Sequence, residues 1–298
     1  MSDARDERPT VSAIVVTHGS PHHVETCLAA LRRSEGVNLR ILVIDNASPE
    51  ATRAAIHELA GRFGAALIRS KENLGFAGGN NLGIDAALAD DVRWIVELND
   101  DTEIHPDALR RLVEALQANP RAAAAAPLML YEGTPARIWW GGGSLSIVRG
   151  TGRHLAAGQL VDTWSSAGTD VTGCLSGCCI AFRAEALRRE GGFRTGYFMY
   201  GEDVELSLRY RRAGWQLLFV PGARLVHKVP FPEPVIAPHK IVLRDRNRRR
   251  MVREHYRWWE RAAFTIWFAA SRLVHFVRYV LHADRARASA ILRGAVAR

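Results

Sequence analysis

Three consecutive oxygen-bearing side chains, Asn99, Asp100 and Asp101, follow the apolar run Trp94, Ile95, Val96 and Leu98. The run reads as a buried strand. A polar triplet at its carboxyl end makes a poor core but suits a hard divalent cation. The plainer alternative is an Asn/Asp turn leading to a helix capped near Thr102. A second acidic pair, Glu202 and Asp203, follows an aromatic loop at residues 197–200 and opens a helical pattern through Leu206, Tyr210 and Ala213. One carboxylate within hydrogen-bond reach of a hydroxyl can act as a general base. Acids in a first helical turn also simply complement the macrodipole. Glu202 is a like charge beside Asp203, and such a neighbour raises the pair's apparent pKa.

The elements that must position these groups alternate along the chain. Residues 11–17, 40–45 and 65–69 read as buried strands. Helical patterns fall between them, from Val24 to Leu31 and over about 50–62. Strands alternating with helices of this length indicate βαβ units and a parallel sheet. In an open sheet of that kind, ligands sit beyond the carboxyl ends of the strands, where the 99–101 triplet falls. Residues 73–83 are rich in Gly and Asn and precede a helix expected at about 81–89. Glycines there let backbone amides approach a ligand, and a helix N-terminus favours an anion. The G-x-G-x-x-G spacing of a dinucleotide fingerprint is absent. A helix is expected from about 106 to 119, with strands at 122–129 and 217–220. Trp139 and Trp140 beside three glycines suit either sugar stacking or a hairpin core, and the core reading is favoured.

The chain has 298 residues, 48% of them hydrophobic, enough for a sizeable core. Cys27, Cys174, Cys178 and Cys179 form no framework of pairs and read as reduced, buried side chains. Residues 1–8 are charged and lack an apolar h-region, which gives the expectation of no signal peptide and a cytoplasmic protein. Charge is unevenly spread. Residues 239–298 carry 15 Lys/Arg against 4 Asp/Glu, a surplus of 11, whereas residues 1–238 are near neutral. The expected organisation is therefore a catalytic domain at 1–238 and a basic tail at 239–298. In the tail, Arg246, Arg248, Arg249 and Arg250 precede Trp258-Trp259 and an apolar run interrupted by Arg272, His275 and Arg278. A spanning helix needs about 20 nearly uncharged residues. The pattern fits instead an amphipathic helix lying on an anionic membrane surface, with Arg toward lipid.

These pieces occur together in a recognisable order. Residues 11–228 resemble the family 2 glycosyltransferases, inverting enzymes with the GT-A fold, and are most similar to the bacterial rhamnosyltransferase-like subgroup acting on cell-envelope glycans. The resemblance is carried by Val15-Val16-Thr17, Val43-Ile44-Asp45-Asn46-Ala47-Ser48, the 73–83 segment, Leu98-Asn99-Asp100-Asp101-Thr102, and Tyr200-Gly201-Glu202-Asp203-Val204-Glu205-Leu206. It implies an α/β fold with a Rossmann-like, mostly parallel sheet. By the same resemblance, Thr17, Asp45, Asn73, Asn80 and Asp100 bind the nucleotide-sugar, and Asn99, Asp101 and His227 hold Mg²⁺ or Mn²⁺ on its diphosphate. Asp203 is then the general base. The implied donor is a nucleoside-diphosphate sugar (dTDP-rhamnose or a UDP-sugar), the acceptor a glycan or lipid-linked hydroxyl, and the place the inner face of the cell membrane. Asn99 stands where the family's metal motif has Asp. The oligomeric state stays open, a homo-oligomer included.

Two rivals remain. A nucleic-acid-binding protein would set aromatics among arginines in a positive groove across the body, but the body carries no positive surplus. A non-catalytic scaffold would have lost Asp101, Asp203 or His227, and all three are present.

Overall fold

The structure, a computed structural model, describes residues 8–166 and 168–297, so the stretch at 1–7 read above for the lack of a leader lies outside the described residues. The first half runs β1 (Thr10–Thr17), α1 (Pro21–Arg32), β2 (Asn38–Asn46), α2 (Glu50–Arg62), β3 (Ala66–Ser70), α3 (Gly75–Ala89) and β4 (Trp94–Asn99). Then come β5 (Thr102–Ile104), α4 (Ala108–Ala118) and β6 (Ala122–Tyr131). Short strands β7 (Ile138–Trp140), β8 (Gly143–Ser146), β9 (Thr151–His154) and β10 (Asp170–Val171) precede β11 (Cys179–Arg183). After them lie α5 (Ala184–Glu190), α6 (Glu202–Arg212), β12 (Gln216–His227), α7 (Pro238–His255), α8 (Trp258–Leu281) and α9 (Arg285–Val296).

The main sheet is ordered β10-β12-β6-β11-β4-β1-β2-β3, with β5 added on β12 and β7 on β6. The strands β3, β2, β1, β4, β6 and β12 run one way, and β11 inserts antiparallel between β4 and β6. Strands covered on both faces are nearly continuous apolar runs, as β1, β4 and β11 are. The five consecutive alanines of β6 are all fully buried. They leave room for α4, which seats Leu109, Leu112, Val113 and Leu116 against β6 and β12. Register sets Thr17 beside Asp45 and Val16 beside Asn99, so β1, β2 and β4 end at one carboxyl edge.

Two expectations change. Thr102 caps no helix: it begins β5, which pairs with β12, and α4 starts later at Ala108. The segment 73–83 is not a loop before a helix at 81, because α3 already begins at Gly75. Its glycines serve packing. A Cβ on Gly79 would stand 2.7 Å from Val16, and one on Gly83 would strike Ile14. The first α3 amides donate to the Phe198 carbonyl, with Phe76 N–H at 2.6 Å. They are therefore occupied by protein.

The basic tail also differs from its reading. Arg249 donates to the carbonyls of Gly294 and Ala297, and Arg250 to that of Gly196. Arg272 was expected to face lipid. Instead its Nη1 lies 2.8 Å from both oxygens of the buried Asp245. Phe264 and Phe268 of α8 enter a small core with Tyr197, Leu208 and Met251. Much of the cationic surplus thus ties α7, α8 and α9 to one another and to the body, because a guanidinium fork can satisfy orphan carbonyls and carboxylates together.

Glu205, fully buried on α6, anchors this docking. Its Oε1 is 2.9 Å from Arg194 Nε, Arg209 Nε and His255 Nε2. Burial alone would raise its pKa, but the His255 and Arg209 contacts outweigh that and hold it below the ordinary value. A lowered folded-state pKa gives stability present above the unfolded value and lost as pH falls through the folded one. Glu205→Ala leaves buried cations unpaired and is expected to cost about 3–5 kcal/mol at neutral pH by denaturant titration. The gap to the wild type should close on acidification below pH ~4.

Candidate active site

The carboxyl edge gathers the polar residues that sequence assigned to a nucleotide. Asp45 is fully buried; its Oδ1 accepts from Ser48 N–H and its Oδ2 from Arg69 Nε, each at 2.9 Å. Burial would raise its pKa, yet those partners keep it below the usual carboxylate range. Asn73 Oδ1 accepts from Gly75 N–H and Asn46 Nδ2. Asn80 Nδ2 donates to the Phe76 carbonyl, while its Oδ1 is buried without a partner. The Thr17 hydroxyl is buried without a well-formed bond, although it stands beside the Asp100 carboxyl. Two unsatisfied buried oxygens on one edge are what a ligand would answer.

Beyond β4 the chain turns, with Thr102 Oγ1 donating to the Asn99 carbonyl at 2.7 Å. Burial pushes Asp100 up to about 6, helped by the adjacent Asp101 charge. Asp101 differs. Burial would raise it as well, but His227 and, more weakly, His23 overcome that and hold it low. Asp101 Oδ1 and His227 Nε2 lie 3.3 Å apart, and neither Asp101 Oδ1 nor His227 Nδ1 makes a formed hydrogen bond. β12 carries His227 into place, since its register pairs His227 with Thr102. Among the described residues no group of three or more His, Cys, Asp or Glu could hold a metal alone. The donor set that the structure brings together is the Asp101 carboxylate, with an unpaired buried oxygen, and the His227 imidazole. It fits a Mg²⁺ or Mn²⁺ site that substrate phosphates complete.

Asp203 stands in the first turn of α6, half-buried on the wall of a cleft. Its Oδ2 accepts from Gly177 N–H at 3.2 Å, and the next residue, Cys178, accepts from Asn99 N–H at 3.0 Å. A two-residue bridge therefore links Asp203 to the 99–101 turn. A Cβ on Gly177 would meet the Phe76 ring at 2.9 Å, so the close approach needs glycine. Burial raises the pKa of Asp203, and burial together with the Asp203 charge raises that of Glu202. The loop before them is strained: Phe198, Tyr200 and Gly201 all have positive φ. For the two aromatic residues this costs about 1–3 kcal/mol each. Asn247 of α7 holds the loop there, donating to the carbonyls of Tyr197, Met199 and Tyr200 at 2.7–2.9 Å.

Sequence reasoning missed three members. Glu97, on β4, is fully buried with both oxygens unpaired. Burial and then the charges of Asp203 and Glu202 push it far up, so it stays neutral. An acid inside an apolar strand was a visible signal. His154, on β9, lies near enough to feel both Asp203 and His227, although burial lowers its pKa; nothing in its local sequence marks it. Trp139 was assigned with Trp140 to a core. Trp140 is indeed fully buried, but the Trp139 ring lies edge-on to His227 and His154 with centroids 4.5 and 4.6 Å away. All four cysteines are buried free thiols.

Comparison with known proteins fits this arrangement. Residues 12–191 match the family described as Glycosyl transferase family 2. The chain is 29% identical over 236 residues to N-acetylglucosaminyl-diphospho-decaprenol L-rhamnosyltransferase of Mycobacterium tuberculosis, covering 72% of this chain and 74% of that protein. It is 27% identical over 206 residues to galactofuranosyltransferase GlfT1 of Mycolicibacterium smegmatis, covering 68% and 66%. Among solved structures, GalNAc-T7 with UDP, GalNAc and Mn²⁺ superposes with a TM-score of 0.65 at 16% identity, over 83% of this chain and 48% of that one. The likeness is one of fold, and it is the GT-A fold expected from the sequence. With the family match spanning most of the sheet and the turn at its carboxyl edge, this chain belongs to glycosyl transferase family 2 and is a glycosyltransferase.

Proposed function

We propose that the protein is a metal-dependent inverting glycosyltransferase. It moves a sugar from a nucleoside-diphosphate donor, dTDP-rhamnose or a UDP-sugar, to a hydroxyl of a glycan or lipid-linked acceptor in cell-envelope polysaccharide synthesis. The observation that carries this reading is the bridge through Gly177 and Cys178, which puts Asp203 next to the turn bearing Asn99 and Asp101. The rhamnosyl- and galactofuranosyltransferase relatives support the envelope setting.

In this mechanism Thr17, Asp45, Asn73, Asn80 and Asp100 orient the nucleotide at the carboxyl edge. Asn99, Asp101 and His227 would hold the divalent cation, which would supply neutralisation of charge on the departing diphosphate. Asp203 takes the proton from the acceptor hydroxyl as it attacks the anomeric carbon, and Gly177 N–H fixes the carboxylate for that role. Burial raises the proton affinity of Asp203 above its ordinary value, although the Gly177 and Val204 N–H groups and His154 pull it back. A screen of nucleoside-diphosphate sugars for nucleotide release, with Mn²⁺ or Mg²⁺ added to chelator-treated protein, should give one preferred donor. Release that is indifferent to metal, or absent for every donor, would break the reading.

Residues 1–238 are then the catalytic region, and residues 239–298 bring it to the inner face of the membrane. No helix among the described residues is long and apolar enough to cross a membrane. On α8, Trp258, Ile266, Leu273, Val274, Val280 and Leu281 are nonetheless exposed, each by more than half. Such a face suits an interfacial helix. Because Arg249, Arg250 and Arg272 are engaged within the fold, apolar insertion outweighs lipid charge here. Full-length protein should therefore float with anionic liposomes and stay largely bound at high salt, whereas Ile266→Asp combined with Leu273→Asp should sediment. Protein that never floats, whatever the lipid, would make the tail a partner-binding element.

A further inference from the structure

The loop that delivers Asp203 is gripped from two sides. Phe198, at φ 54° and ψ −61°, is the centre of a tight turn in which Met199 N–H donates to the Tyr197 carbonyl at 2.5 Å. This is the strained form of the γ-turn, and a residue with a side chain stays in it only where its surroundings impose it. On one side Phe76 N–H, in the first turn of α3, donates to the Phe198 carbonyl. On the other side lies α7. Asn247 Nδ2 donates to the carbonyls of Tyr197 at 2.7 Å, Met199 at 2.9 Å and Tyr200 at 2.7 Å.

Two N–H bonds are thus shared among three carbonyls of one turn. Arg246 Nε donates to Asn247 Oδ1 at 3.0 Å, which fixes the amide with its nitrogen toward the loop. Arg250 and Glu254 follow on the same face of α7, three and seven residues on. Arg250 Nη1 donates to the Gly196 carbonyl at 2.8 Å, and Glu254 Oε2 accepts from the Tyr197 hydroxyl at 3.0 Å. The loop leads straight to the base. Gly201, at φ 88° and ψ −2°, is the N-cap of α6, and Asp203 is the second residue of that helix. Leu206 and Tyr210 bury the later turns of α6 in the main core, so the first turn is the part that depends on the loop. The contact of Asp203 Oδ2 with Gly177 N–H, 3.2 Å, is at the long end of the hydrogen-bond range, and a small swing would break it.

We infer that Asn247 is a positioning residue for the general base. It is fully buried and acts through the loop, holding the strained turn so that Asp203 meets Gly177 on one side and the acceptor hydroxyl on the other. The catalytic unit then extends past residue 238 into α7. This inference rests on the reading of Asp203 as the base.

The test uses the full chain and nucleotide release from its preferred donor, with water standing in for the acceptor hydroxyl. Asn247→Ala and Asn247→Asp both remove the three donated bonds, the second while keeping the shape of the side chain. Each should slow release by about 10–10²-fold. Calorimetric affinity for UDP or dTDP with Mn²⁺ should stay at the wild-type value. Asp245→Ala is the matched control, because Asp245 holds Arg248 and Arg272 rather than the loop. It should lower the melting temperature at least as far while keeping full release. Arg250→Ala removes a half-exposed grip on Gly196 that the fold can spare, and should slow release by about threefold. Full release in either Asn247 variant overturns the inference, as does full release in Arg250→Ala where neither Asn247 variant folds. A loss that Asp245→Ala matches, or that comes with an equal loss of nucleotide affinity, also overturns it, since Asn247 would then only support the fold. Asp203→Asn separates the two readings. Normal release in that variant strikes the assignment of the base, whereas slowed release there with full release in both Asn247 variants strikes this inference alone.

Discussion

Asp203→Asn is expected to cut sugar transfer by about 10²–10⁴-fold while leaving donor affinity unchanged. The amide keeps the size of the carboxylate and can still meet Gly177, but it takes no proton. The pH profile carries a second signature. Burial raises the pKa of Asp203, while burial and then the Asp203 charge raise that of Glu202 to about 8. The rising limb of activity should therefore lie above the ordinary carboxylate range, since the base works only when ionised. Glu202→Gln removes a group that burial and the Asp203 charge already keep protonated, so it should leave that limb in place and retain most of the maximal rate. If Asp203→Asn transfers normally and Glu202→Gln does not, the two roles are exchanged. If both are near wild type, the acids only start a helix.

Asp101→Ala is expected to lower turnover by at least ~10²-fold, about 2.7 kcal/mol of transition-state stabilisation. The variant loses the carboxylate oxygen that lies unpaired 3.3 Å from His227 Nε2. His227→Ala should act in the same direction and less strongly, since it removes a neutral ligand. Binding of Mn²⁺, followed by its paramagnetic effect on water relaxation in the presence of nucleoside diphosphate, should weaken in both variants. Unchanged Mn²⁺ binding in Asp101→Ala would place the cation elsewhere.

Much of the sheet was legible because buried strands announce themselves as β-branched apolar runs. β1, β2 and β4 fall within a few residues of their expected bounds. The carboxyl-edge rule set Asn99, Asp100 and Asp101 at the end of β4, and the structure has that end beside the ends of β1 and β2. What failed was local context. The glycines at 78, 79 and 83 looked like a ligand loop, but Gly79 and Gly83 are contacts of a helix laid close on β1, and periodicity does not separate those two uses. Arg272 looked like a lipid-facing cation because a sequence shows charge without its partner. Asp245, 27 residues away, turns it inward. His154 was invisible because a hairpin inserted far from the motifs brings it to Asp203. Glu97 was overlooked for the opposite reason: an acid in an apolar strand was on view, and the run was read around it.

The central claim is a single displacement in which Asp203 alone activates the acceptor while the 99–101 turn and His227 hold the donor diphosphate. The most direct measurement is the anomeric configuration of the transferred sugar, read from the one-bond carbon–proton coupling at the anomeric carbon of the product. The account predicts a configuration inverted relative to the donor. Retention would contradict it, because a retained product needs a second displacement that one base facing the acceptor does not provide.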